Sequence, residues 1–133
     1  MAQPEYFATP GYGDAMRERL HYSQAVRIGD RVETSGQGGW SDQFEIPEDL
    51  EEEIERAFHN LERTLATAGA DWTHVVHLNS YHVGGFPAVV NETMVRLFRK
   101  LMPDHAPIWT QLGVEALGLP AMRIEIRATA VIA

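Results

Sequence analysis

Three histidines, His74, His77 and His82, fall in one short stretch and are the first candidates for metal or acid–base chemistry in this chain. A zinc site needs three or four ligands converging on one point. Along a strand, residues an odd number apart point to opposite faces. His77 and His82 therefore cannot share a pocket unless a bulge intervenes, and His74 and His77 meet the same obstacle. The three read as hydrogen-bonded surface or interface histidines, and no metal site is expected. Gly36-Gln37-Gly38-Gly39 has the glycine density of a phosphate cradle. It lacks the Lys-Ser/Thr of a P-loop and the spacing of a dinucleotide fingerprint, so it reads as a turn bringing backbone N–H groups to a cleft. Ser35 has no histidine base near it in sequence, and no Gly-x-Ser-x-Gly elbow occurs, which leaves nucleophilic catalysis without support. The chain contains no cysteine, which excludes disulfides, thiolate chemistry and cysteine-based zinc sites.

Whatever chemistry exists must be positioned by one domain, because 133 residues leave no room for a second independent core. A composition 44% hydrophobic and 23% charged is that of a globular protein. Residues 1–20, with Pro4, Pro10, Gly11 and Gly13 among aromatics, read as an N-terminal arm without a regular element. Tyr22 to Ile28 and Arg31 to Thr34, around Gly29-Asp30, predict a hairpin. Pro47-Glu48-Asp49 opens a helix whose stripe is Leu50, Ile54, Phe58, Leu61 and Leu65, and Gly69 stops it. Glu51, Glu52, Glu53 and Glu55 read as a solvated face matched to the positive end of the helix dipole. His74 to Val83 predicts a strand. Val90, Met94, Leu97 and Leu101 mark a second helix, entered at Pro87 and closed before Pro103. Ile108, Thr110, Leu112 and Val114 alternate on one strand, and Ile124, Ile126, Ala128, Ala130 and Ile132 on the last. The order β-β-α-β-α-β-β predicts an α+β fold, a mixed sheet with two helices on one face. On the other face the last strand presents Arg123, Glu125, Arg127, Thr129 and Val131, a surface suited to a wet subunit interface. Taken from this alternation alone, Glu125 is an ordinary polar strand residue.

Tyr22-Ser23-Gln24-Ala25-Val26-Arg27-Ile28-Gly29-Asp30 followed by Thr34-Ser35-Gly36-Gln37 resembles the signature of the Rid family, the YjgF-type or L-PSP-type proteins. The resemblance runs on through the helix from Ala57 to Gly69, the strand at Val75, the helix from Phe86 to Phe98 and the ending Ile124 to Val131. It implies a chorismate-mutase-like homotrimer with small-molecule clefts between subunits. It also implies hydrolysis of reactive enamines and imines to ketones and ammonia without a metal or organic cofactor. Carried over by position, Glu125 stands beside the attacking water as the catalytic carboxylate, and Tyr22, Ser35, Gly36 and Asn91 bind the ligand. Deaminating members begin the strand before the last with an arginine that pairs with the substrate carboxylate. Trp109 occupies that position here, and no arginine lies between Lys100 and Arg123. An indole offers a flat apolar face and one N–H donor, which favours an aromatic or unsaturated ligand over a compact carboxylate.

Two functions are therefore expected: deamination of an unsaturated small metabolite other than the usual 2-iminoacid, or a non-catalytic trimeric binding module. Ribonuclease activity, suggested by older family descriptions, is disfavoured by a net charge of −8 and by the want of a catalytic histidine pair. Nucleic acid is not an expected partner. The first residues carry no basic segment followed by an apolar one, and no run approaches a membrane span, so a cytoplasmic protein without membrane attachment is expected.

Overall fold

The computed structural model describes residues 2–133. Its elements are β1 (Glu5–Phe7), α1 (Tyr12–Leu20), β2 (Ala25–Ile28), β3 (Arg31–Thr34), β4 (Gln37–Gly38), α2 (Leu50–Thr67), a 3-10 turn (Trp72–His74), β5 (Val75–His82), α3 (Ala88–Leu101), β6 (Ile108–Gly113) and β7 (Ile124–Val131). The sheet runs β1-β2-β3-β7-β5-β6, with β4 also paired to β7. Among the described strands only β5 and β6 are parallel. A parallel pair needs a crossover, and α3 supplies it. Among the described residues no helix is long and apolar enough to cross a membrane.

The last strand lies inside the sheet, which explains its strong pattern. Ile124, Ile126, Ala128 and Ala130 are buried beneath the helices, against Val32, Leu78, Ile54, Phe58, Leu61 and Leu65. Helix α2 begins where expected, because the Asp49 carboxylate accepts the Glu52 backbone N–H at 3.0 Å and caps it.

Two expectations change. Residues 1–20 are not an irregular arm: β1 adds a third strand to the hairpin, and α1 packs on the flank of α2. Helix α1 is held in two ways: Tyr12 and Met16 join Trp40 and Met122 in a small second apolar cluster, and buried polar contacts fasten the same end. Tyr12 Oη donates to Gln37 Oε1 at 2.6 Å, and Thr9 Oγ1 lies 2.7 Å from Thr64 Oγ1. Glu53 is not solvated. It is fully buried, and with Ala57, Asn60 and Thr64 it forms a second, largely polar stripe on α2 at helical spacing. On β6, Ile108, Thr110 and Leu112 point to the uncovered face, while Trp109 and Gln111 point toward the helices.

The Tyr12 hydroxyl is thus a polar fastening set beside this small apolar cluster. Tyr12→Phe leaves the Gln37 carbonyl buried without its donor. We expect a loss of about 1–3 kcal/mol in urea denaturation.

Candidate functional site

Glu125 lies on the uncovered face of β7, opposite Gly38 on one side and Tyr81 on the other. Its carboxylate is half-buried, and among the described residues neither a hydrogen bond nor an ion pair holds it. Burial pushes its pKa above the ordinary glutamate value. The Ser35-Gly36 loop closes over it: a Cβ on Gly36 would lie 2.5 Å from Glu125 Cδ and 2.8 Å from Oε2. A side chain at this position would have to displace the Glu125 carboxyl group, because the backbone passes directly across it.

Tyr22 stands in the same neighbourhood. Its phenol is raised in pKa first by burial and further by the Glu125 charge, while its hydrogen-bonding neighbour Gln24 opposes the shift. Its hydroxyl rests on the Met16 thioether of α1 at 2.7 Å, so α1 orients a residue of the site. The Ser35 hydroxyl donates to the Ser23 carbonyl at 2.7 Å and the Ser35 carbonyl accepts from Gln37 Nε2 at 3.2 Å. This serine braces the loop and is not poised as a nucleophile. Tyr22 and Ser35 also line a groove of about 410 Å³ with Tyr6, His21 and Glu33.

Asn91 and Trp109 belong to a different place. Trp109 sits in register with Leu78 on the helix-covered side of the sheet. Its indole meets the Phe98 ring edge-on, with centroids 5.0 Å apart, and its N–H donates to Ser80 Oγ at 2.9 Å. The indole donor expected to be open to a ligand is engaged within the chain, and Trp109 and Glu125 occupy opposite faces of the sheet. Asn91, in the first turn of α3, joins the same edge through Gln111, whose Nε2 lies 2.8 Å from Asn91 Oδ1. Within one chain the expected site residues thus fall into two groups: Tyr22, Ser35, Gly36 and Glu125, and separately Asn91 and Trp109.

The histidines do diverge along β5. His82 is buried on the helix side and is not a surface residue, whereas His77 lies on the uncovered face. Burial depresses the His82 pKa to about 4, so the ring is neutral near pH 7. His74 closes the 3-10 turn by accepting the Asp71 N–H on Nδ1. The two arginines nearest the site are both committed. Arg123 pairs with Glu53 and donates to the carbonyls of Pro47 and Glu48. Arg127 binds Glu33 and Asn79. Arg127 uses all three of its nitrogens in this way, whereas Arg123 Nη1 has no partner among the described residues. Sequence reasoning missed Met16, Ser80 and Gln111, and named His82 only as a surface or interface histidine. Ser80, His82 and Gln111 share one signal, polar residues on the covered parity of β5 and β6.

A mixed sheet carrying helices on one face places the chain in the α+β class. The chain belongs to the family described as Endoribonuclease L-PSP, which matches residues 13–132. It is 32% identical over 95 residues to the RutC family protein YjgH of Escherichia coli, covering 70% of each chain. It is 31% identical over 115 residues to the 2-iminobutanoate/2-iminopropanoate deaminase of Dermatophagoides farinae, covering 84% of this chain and 85% of that one. Among solved structures, E. coli TdcF with bound serine superposes with a TM-score of 0.76 at 25% identity, over 84% of this chain and 88% of that one.

Proposed function

We propose that this chain hydrolyses a reactive imine or enamine to a ketone and ammonia, in a cleft that neighbouring copies build together as a homotrimer. The observation that carries the reading is Glu125: a half-buried carboxylate without a partner among the described residues, covered by Gly36 and facing Tyr22. Leaving such a group unpaired costs stability, and that cost is intelligible if it handles protons. Glu125 takes a proton from water as the water oxygen attacks the C=N carbon, and delivers it to nitrogen. The carboxylate then takes the carbinolamine's hydroxyl proton and passes it to nitrogen, so that ammonia leaves as the C=O bond forms. The relative named as a deaminase and the serine-bound TdcF structure support small-molecule chemistry of this class.

Two further features support a shared cleft. The residue groups lie on opposite faces of one sheet, so a second chain must bring Asn91 of one copy toward Glu125 of another. The uncovered face also exposes Ile108 at 66% and Leu112 at 48%, together with Ile28 and Val131, an apolar surface that association would bury. No arginine lies between Lys100 and Arg123, and Arg127 is engaged, which favours a substrate without a carboxylate to be clamped. That same engagement favours a second reading, a trimeric module that binds a metabolite without turning it over.

Ammonia release from freshly generated imines, with and without a carboxylate, separates the two. Release above the spontaneous rate that falls in Glu125→Gln supports the enzyme, and no release at all supports the binding module. The shared cleft has its own consequence. Glu125→Gln and Asn91→Leu chains, each inactive alone, are expected to recover about a quarter of wild-type activity when co-assembled at random, since a ring of heterologous contacts then contains intact sites. A mixture as inactive as its parents places both residues in one chain's site.

A further inference from the structure

Ser80 and His82 are two residues apart on β5, so both side chains project to the helix-covered face, where each is about 1% exposed. Trp109 and Gln111 do the same on β6, with Gln111 in register with Ser80. The four are linked to Asn91 in a single chain of hydrogen bonds. Trp109 Nε1 donates to Ser80 Oγ at 2.9 Å, Ser80 Oγ lies 2.9 Å from His82 Nε2, His82 Nε2 lies 3.3 Å from Gln111 Nε2, and that amide reaches Asn91 Oδ1 at 2.8 Å. The buried end of this chain is fixed by packing, whereas its outer end, the pair of amides, is exposed.

A neutral imidazole has one accepting and one donating nitrogen, and Nε2, which also meets Ser80 Oγ, presents one or the other to the amides. When His82 Nε2 accepts, Gln111 turns its NH2 inward and Asn91 its oxygen, leaving Gln111 Oε1 as an open acceptor and Asn91 Nδ2 as an open donor. When Nε2 carries the proton, both amides turn over and the open groups exchange places. In either state one acceptor and one donor stand side by side at the sheet edge, with no partner among the described residues. Beside them the Phe86 ring is 48% exposed, leans against His82 with centroids 5.4 Å apart and lies over Gly113. No lysine, arginine, aspartate or glutamate belongs to the cluster.

We propose that this edge is a recognition site for a neutral, planar, amide-like ligand, whose adjacent N–H and C=O pair with Asn91 and Gln111 while its ring lies on Phe86. An uncharged complementary pair suits a cyclic amide or ureide. It offers a carboxylate no counter-charge, and a carboxylate meeting the open acceptor faces repulsion. The proposal deepens the deaminase reading by naming the group through which its substrate is held, and rests on that reading only for the chemistry after binding.

The test uses 2-pyridone, N-methyl-2-pyridone and benzoate as probes on the wild-type protein, monitored through the side-chain amide resonances of Gln111 and Asn91 in 15N-correlated NMR spectra. 2-Pyridone is expected to shift both amides, and its N-methyl derivative to bind about tenfold more weakly, having lost the donor. Benzoate is expected to leave them unmoved. Gln111→Leu should abolish the shift at Asn91, and Asn91→Leu the shift at Gln111. Benzoate binding as tightly as 2-pyridone, or 2-pyridone moving neither amide, overturns the proposal. The readout involves no turnover, so a protein that releases no ammonia can still pass it, and an active enzyme can still fail it.

Discussion

Glu125→Gln is expected to lower kcat/KM for ammonia release by about 10²–10⁴-fold, the range lost when a positioned proton carrier is removed, while the melting temperature rises by a few degrees. The two effects have one cause. Burial raises the Glu125 pKa, so the folded state binds this proton more tightly than the unfolded chain does. Above the folded pKa the carboxylate is charged in both states, and the fold carries the cost of holding it half-buried. Below the unfolded value, about 4.3 for a glutamate, the carboxyl is neutral in both states and that cost has vanished. Glutamine never carries it. The variant's advantage in stability should therefore be present at pH 7 and shrink toward zero as pH falls through the folded pKa. Activity in the wild type should fall across the same window, on an acid limb above the ordinary glutamate range, because the base is being protonated. Thermal melts at several pH values and a pH–rate profile measure both. A variant less stable than wild type at pH 7 would assign Glu125 an ordinary structural role.

How much of the fold and site is legible in the sequence depends on whether a residue's partner lies within its own chain segment. Helix α2, helix α3 and β7 are readable because each buries a periodic apolar face against the same sheet. Helix α1 is not: its buried side chains are Tyr12 and Met16 around Gly13, too short a pattern to register, and what holds it is a hydrogen bond to Gln37 and packing on Trp40 and Met122, all distant in sequence. Strand β6 is legible as a strand but not in its facing. The rule that apolar residues point to the core reads Ile108 and Leu112 as inward, yet they point outward, and Trp109 and Gln111 face the helices. The association of copies proposed above would bury this face and so account for the reversed sign of the rule. Glu125 and Tyr22 are found through family resemblance, since a glutamate on an alternating strand signals nothing unaided. The Ser80, His82 and Gln111 chain matches no motif, because it depends on the register of two strands that only the fold fixes.

Glu53→Ala is expected to cost about 3–5 kcal/mol, the largest stability loss foreseen for this protein from a single side-chain truncation. Its carboxylate is 0% exposed and receives two donors from one residue, Arg123 Nε on Oε1 and the Arg123 backbone N–H on Oε2, each at 2.7 Å. The same guanidinium holds the Pro47 and Glu48 carbonyls at 3.0 Å, so this one contact ties the start of α2, the loop before it and the entry to β7 together. Removing the carboxylate strands a backbone N–H and an arginine oriented for it. Gly39 presses on the same point: a Cβ there would run into the Glu53 carbonyl, backbone against backbone, so Gly39→Ala should also destabilise strongly. In a double-mutant cycle, Glu53→Ala with Arg123→Ala should lose much less than the sum of the single changes, because each single change leaves a partner uncompensated. β7 carries Glu125 two residues beyond Arg123, so activity in the Glu53 variants should decline even at temperatures where they stay folded. Additive losses in the cycle, or full activity in a folded Glu53→Ala protein, would show that this clamp neither couples the two residues nor positions the site.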